Sequence, residues 1–160
     1  NHLDVKPANV LIRNNTEMVL IDFGISKRYD SAGGQTSTVP VGITPGYAPM
    51  EQYDQGGVAT LCPATDIYAL GATLYKLITG NTPPVANIVH EDGLTEFPDH
   101  ISETTKNAII SAMKPSRKQR PQNITEFIAL LDRNESSKAA TEEIAEKDDF
   151  DYNDLINWAL

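Results

Sequence analysis

Disulfide chemistry within the chain is excluded, because the sequence holds a single cysteine, Cys62. A multi-cysteine zinc cluster is excluded for the same reason. Long apolar runs are missing too, and no stretch approaches the ~18–20 residues that cross a bilayer as a helix. No leader pattern opens the chain, which begins on a polar loop. Basic residues are in the minority, 13 against 22 acids, for a net charge of -9. That balance argues against nucleic acid or an anionic lipid surface as the main partner. These absences together suit a cytoplasmic protein with no membrane segment. What remains, 160 residues with 40% hydrophobic side chains, is enough for one domain with a real core.

The acids are unevenly spread. After Arg133, Glu135, Glu142, Glu143, Glu146, Asp148, Asp149, Asp151 and Asp154 face only Lys138 and Lys147. Residues 134–160 therefore read as an acidic tail or solvated linker. Tyr152, Leu155, Ile156, Trp158 and Leu160 leave a short terminal docking helix open. The folded domain is expected over residues 1–133.

Within it, Leu11–Arg13 and Met18–Ile21 read as short strands. The turn residues Asn14-Asn15-Thr16-Glu17 join them into a hairpin. From Ser26 to Tyr47 the chain is rich in Gly, Ser, Thr and Pro without periodicity, which predicts a long functional loop. A helix is expected over Asp66–Thr79. It is apolar nearly all round through Ile67, Leu70, Leu74, Leu77 and Ile78, and so belongs in the middle of a core. Pro63 suits its first turn and Gly80 its C-terminal cap. A weaker helix covers Val85–His90. Another runs from an Ser102 N-cap to about Met113. A last one follows Asn123-Ile124-Thr125-Glu126, which has capping-box spacing, with Ile124, Phe127, Ile128 and Leu131 on one face. A hairpin, a long loop and then helices make a mainly α fold rather than a parallel α/β sheet.

Five motifs stand in order along this framework. They are His2-Leu3-Asp4-Val5-Lys6-Pro7-Ala8-Asn9, Asp22-Phe23-Gly24, Gly46-Tyr47-Ala48-Pro49-Met50-Glu51, Asp66-Ile67-Tyr68-Ala69-Leu70-Gly71 and Arg120-Pro121. Alone, Asp-x-x-x-x-Asn is turn or capping chemistry and Asp-Phe-Gly a strand-ending turn. In this order and at this spacing the set resembles the eukaryotic-type protein kinase family, over residues 1 to about 133.

The resemblance implies a kinase C-lobe with a short β-hairpin, and ATP and Mg²⁺ as cofactors. It implies a Ser/Thr-bearing protein as substrate. Asp4 would orient the acceptor hydroxyl and take its proton. Lys6 would lie against the γ-phosphate, and Thr44 would contact Asp4 and Lys6. Asn9 and Asp22 would supply oxygen ligands to Mg²⁺, which prefers such donors. Leu11 would pack under the adenine. His2 under Phe23, the ion pair of Glu51 with Arg120, and Asp66 receiving catalytic-loop N–H groups would be structural. Lys6 and Thr44 imply serine/threonine rather than tyrosine acceptors. The run Gly46 to Tyr53, with Gly80-Asn81-Thr82-Pro83-Pro84, looks similar to bacterial members.

The sequence also departs from the pattern. Leu3 replaces the Arg that in the family pairs with a loop phosphate, so modification at Ser31, Thr36, Ser37 or Thr38 would not act through that contact. Met50 intrudes between Pro49 and Glu51. No Gly-rich phosphate loop, strand lysine or partner glutamate is present. The expectation is thus a C-lobe with the N-lobe absent, inactive alone, exposing apolar surface where the missing parts would pack. The alternative is a non-catalytic kinase-like binding module from a truncated gene. A small-molecule phosphotransferase of related fold is a third reading, disfavoured by the Pro-x-Glu element and the later Arg-Pro.

Overall fold

A computed structural model describes residues 1–14, 16–23, 43–53 and 61–132. Gly24, the four candidate loop phosphosites and the whole acidic tail lie outside these residues. So does the possible helix over 151–160.

Strands β1 (Val10–Arg13) and β2 (Glu17–Leu20) pair antiparallel, with Val10 opposite Leu20 and Arg13 opposite Glu17. Asn14 turns the chain at φ 53°, a left-handed conformation that asparagine tolerates. The hairpin presents Leu11 and Ile12 to solvent, 53% and 68% exposed. Phe23 beyond it is also exposed.

Among the described residues five helices follow: α1 (Met50–Tyr53), α2 (Pro63–Thr79), α3 (Ala86–Asp92), α4 (Glu103–Ala112) and α5 (Ile124–Leu131). Short 3-10 turns cover Pro7–Asn9 and Arg117–Gln119. The described residues are thus helix-rich with one two-stranded sheet.

α2 is the hub, buried without interruption from Ile67 to Tyr75 and packed on α4 and α5. It starts three residues earlier than Asp66, because Pro63 needs no N–H partner at a first helical position and the Thr65 hydroxyl takes the Cys62 N–H. Gly80 ends it at φ 74°, donating its N–H to the Lys76 carbonyl. Leu77, expected in the apolar face, is 52% exposed, because no described element covers the last turn on that side. Tyr68, Tyr75, Ile109, Met113 and Phe127 fill the core between α2, α4 and α5. Each large side chain buried there contributes on the order of 1.5–3 kcal/mol. Gly71 lets α2 and α4 approach: a Cβ there would lie 2.7 Å from the Ala112 Cβ.

The Ser102 hydroxyl caps α4 by accepting the Thr105 N–H. Asn123 caps α5 by accepting the Glu126 N–H. Its box is displaced by one residue, for Glu126 returns to the Gln122 N–H rather than to that of Asn123. α1 has no counterpart among the sequence-based expectations.

Candidate active site

The site grows from the first nine residues. The 3-10 turn at Pro7–Asn9 folds the chain back, so that the Asn9 side-chain amide donates to the Asp4 carbonyl at 2.8 Å and to Asp4 Oδ2 at 3.0 Å. Lys6 Nζ reaches the same Oδ2 at 2.7 Å. Thr44, forty residues on, donates its hydroxyl to Asp4 Oδ1 at 2.6 Å and accepts from Lys6 Nζ at 3.0 Å. Asp4, Lys6, Asn9 and Thr44 therefore form one closed hydrogen-bonded cluster.

The cluster keeps donors and acceptors to spare. A carboxylate has about four acceptor positions, of which Thr44, Lys6 and Asn9 take three. An ammonium has three donors, and Lys6 uses two. Asn9 spends both amide hydrogens on Asp4, which leaves its Oδ1 as an acceptor-only oxygen. The side chains of Asp4 and Lys6 are 14% and 23% exposed, open enough to meet a ligand yet shielded enough for charge to matter.

Asp22 is held beside this cluster through its two neighbours. The Ile21 N–H donates to the Asn9 carbonyl at 2.8 Å, and the Ile21 carbonyl lies 3.0 Å from His2 Nε2. Phe23 meets the His2 ring edge-on with centroids 4.8 Å apart. Asp22 itself is solvent-exposed and sits at φ 63°, a conformation uncommon outside glycine and costing about 1 kcal/mol or more.

Asn9 and Asp22 are the residues here that could hold a magnesium ion. Mg²⁺ is commonly bound through one or two protein oxygens, with phosphates and water completing the octahedron. Asn9 Oδ1 and the Asp22 carboxylate are oxygens of that kind. Among the described residues no group of three His, Cys, Asp or Glu side chains converges, so an all-protein metal cage is not offered there. Leu11 lies on β1 with its side chain outward.

Two further anchors hold the cluster from behind. Asp66, in the first turn of α2, accepts the His2 and Leu3 N–H groups, each at 2.7 Å. Burial pushes its carboxyl above the ordinary aspartate range, while the two N–H bonds work in the opposite direction. The second anchor is the Arg120 guanidinium. It forks onto Glu51 at 2.6 and 3.0 Å and donates to the carbonyls of Ala64, Lys114 and Pro115. It also lies over the Tyr68 ring, 5.0 Å from its centroid. The Tyr68 hydroxyl is buried with no hydrogen-bond partner among the described residues.

Sequence reasoning missed Gln52. Its buried side-chain amide donates to the Leu3 carbonyl at 2.8 Å. The two residues are 49 apart, and nothing periodic marks the pair. His90 and His100 are exposed and distant in sequence from every site segment.

Comparisons with known proteins show the family. A protein kinase domain model matches residues 1–150. The serine/threonine-protein kinase RUNKEL of Arabidopsis thaliana is 34% identical over 128 residues, covering 76% of this chain and 9% of its own length. Serine/threonine-protein kinase B of Synechocystis is 37% identical over 116 residues, covering 67% of this chain and 19% of its own. The chain thus spans under a quarter of the length of either relative. Among solved structures, ROP2 of Toxoplasma gondii, titled a virulence factor with a protein-kinase fold and no enzymatic activity, superposes with a TM-score of 0.58 at 16% identity. The match covers 81% of this chain and 37% of that one, and at this identity it speaks to fold alone. The chain belongs to the protein kinase domain family, and within it to the eukaryotic-type serine/threonine kinases that include bacterial members.

Proposed function

We propose that the protein containing this chain transfers the γ-phosphoryl group of ATP to serine or threonine hydroxyls of a protein. The observation that carries this reading is the convergence of Thr44, Lys6 and Asn9 on the Asp4 carboxylate. Phosphoryl transfer needs little covalent work from the enzyme; it needs aligned groups and opposing charge. The remaining acceptor position of Asp4 takes the acceptor hydroxyl and its proton. The third donor of Lys6 meets a γ-phosphate oxygen. Thr44 holds both side chains in register from the substrate side. Asn9 and Asp22 would ligate Mg²⁺, which supplies charge neutralisation at the phosphates when bound. Leu11 offers an apolar floor for the adenine, and Glu51, Arg120, Asp66, His2 and Phe23 hold the frame.

Residues 1–133 form the catalytic portion in this reading and residues 134–160 an acidic linker in a cytoplasmic protein. The 160 residues hold no Gly-rich phosphate loop or strand lysine, so turnover draws those groups from outside them and the isolated segment is inactive. Loop modification at Ser31 or Thr36–Thr38 does not act through position 3, because Leu3 is buried and carries no charge.

The test is a phosphotransfer assay of the full-length protein with Mg·ATP and a Ser/Thr peptide library. Asp4→Asn should lower kcat by roughly 10²–10⁴-fold, the usual contribution of a positioned base, with nucleotide affinity retained. An Asp4→Asn protein as active as wild type would refute the assignment. A wild-type protein that binds partners but transfers nothing would favour a non-catalytic binding module.

A further inference from the structure

Leu3, which directly precedes Asp4, sits at φ 71°, in the left-handed region that branched residues rarely occupy. Three holds keep it there. Its N–H is bonded to Asp66 Oδ1 at 2.7 Å, its carbonyl accepts the Gln52 amide at 2.8 Å, and its side chain is buried. Asp66 belongs to α2, but Gln52 belongs to α1, the short helix that ends the substrate-side segment begun by Thr44. The residue before Gln52 is Glu51, fixed by its fork with Arg120.

We propose that Gln52 is a positioning residue for phosphoryl transfer: by pinning the Leu3 carbonyl it holds the adjacent Asp4 carboxylate in place and ties the substrate segment to the catalytic loop. This inference rests on the phosphotransferase reading above. A buried primary amide is costly unless it is bonded, and the partner found for this one is the peptide next to Asp4 rather than any group of its own helix. Strain beside reacting groups persists only where the surroundings over-determine it, and Gln52 grips the carbonyl of the Leu3–Asp4 peptide, whose N–H is bonded to His2 Nδ1 at 3.3 Å. With leucine at position 3, no charged side chain is available to make such a link. The link runs through the main chain, and a displacement of α1 reaches Asp4 through one hydrogen bond.

The decisive variant is Gln52→Met in the full-length protein, close in length and volume but without the donor. The expected result is a kcat lowered about 10–100-fold, the scale of a misplaced catalytic group, with KM for Mg·ATP within about twofold of wild type. Hydrogen exchange should also quicken at the amides of Leu3, Asp4 and Val5 while α4 stays protected. Gln52→Glu, which cannot donate when ionised, should lose at least as much. A Gln52→Met protein with wild-type kcat, or with unchanged exchange at residues 3–5, would overturn the proposal. If wild type transfers no phosphate, the kinase reading fails, and the exchange comparison still decides on Gln52. Should the Met variant not fold, the wild-type Gln52 side-chain amide protons serve instead. Slow exchange by NMR supports the tie, and free-amide exchange refutes it.

Discussion

Arg120→Lys separates the value of a charge from the value of a fork. Arg120 is 3% exposed and donates five hydrogen bonds, two to Glu51 and three to main-chain carbonyls. Lysine keeps the charge, but its single ammonium cannot reach the Ala64, Lys114 and Pro115 carbonyls while paired with Glu51. Stranding one or two of those carbonyls at ~1–3 kcal/mol each gives a loss of about 2–4 kcal/mol. Arg120→Met also leaves Glu51 without its partner, and breaking a buried pair costs about 3–5 kcal/mol by itself. Against a total stability of roughly 5–15 kcal/mol, little folded Met variant should survive at 37 °C. The assay is differential scanning calorimetry of the full-length proteins, following the kinase-domain transition. At ~2–4 °C per kcal/mol for a domain of this size, Arg120→Lys should melt on the order of 5–15 °C lower. A shift under about 2 °C for Lys would refute the reasoning, as would a Met variant that melts like wild type.

Tyr68→Phe should stabilise the domain by about 1 kcal/mol in urea titration, because it removes a buried hydroxyl that has no partner among the described residues. Burial raises the phenols of Tyr47, Tyr68 and Tyr75 above the ordinary tyrosine range. The folded state therefore binds the more protons in alkali, and stability intact below pH ~10 should fall as pH rises further, by up to ~1.4 kcal/mol per pH unit for each group. Tyr68→Phe should flatten that slope in alkaline unfolding curves. Gly71→Ala should cost about 1–3 kcal/mol, since its new methyl collides with Ala112; an unchanged melting temperature would show that α2 and α4 can part freely. Thr44→Val should lower kcat on the order of 10–100-fold by freeing Asp4 and Lys6, whereas Thr44→Ser should keep most activity in the same phosphotransfer assay.

Local chemistry made much of the fold legible. Turn residues announced the hairpin, Gly80 the end of α2, and Ser102 the start of α4. Boundaries shifted where side chains cap from within the helix, as Thr65 does for α2. α1 was illegible because four residues are too few to show a period. The exposure of Leu77 was illegible because burial depends on which neighbour arrives, and composition carries no such information. In the site, Asp4, Lys6 and Asn9 are near in sequence and can be read as one loop. Their meeting with Thr44, and that of Asp66 with Leu3, spans 40 and 63 residues and came only through family resemblance. Gln52 had neither route.

Gly46, at φ 85°, stands so near the Pro83 carbonyl that a Cβ would come within 2.7 Å of it. The segment bearing Thr44 is therefore propped at Gly46 on the Pro83 main chain. Position 82 contributes as well, because Thr82 Cγ2 would lie 3.1 Å from the same Cβ and the Thr82 side chain is hydrogen-bonded to that of Tyr47. A side chain at position 46, or a bulkier one at position 82, would lift the segment that carries Thr44.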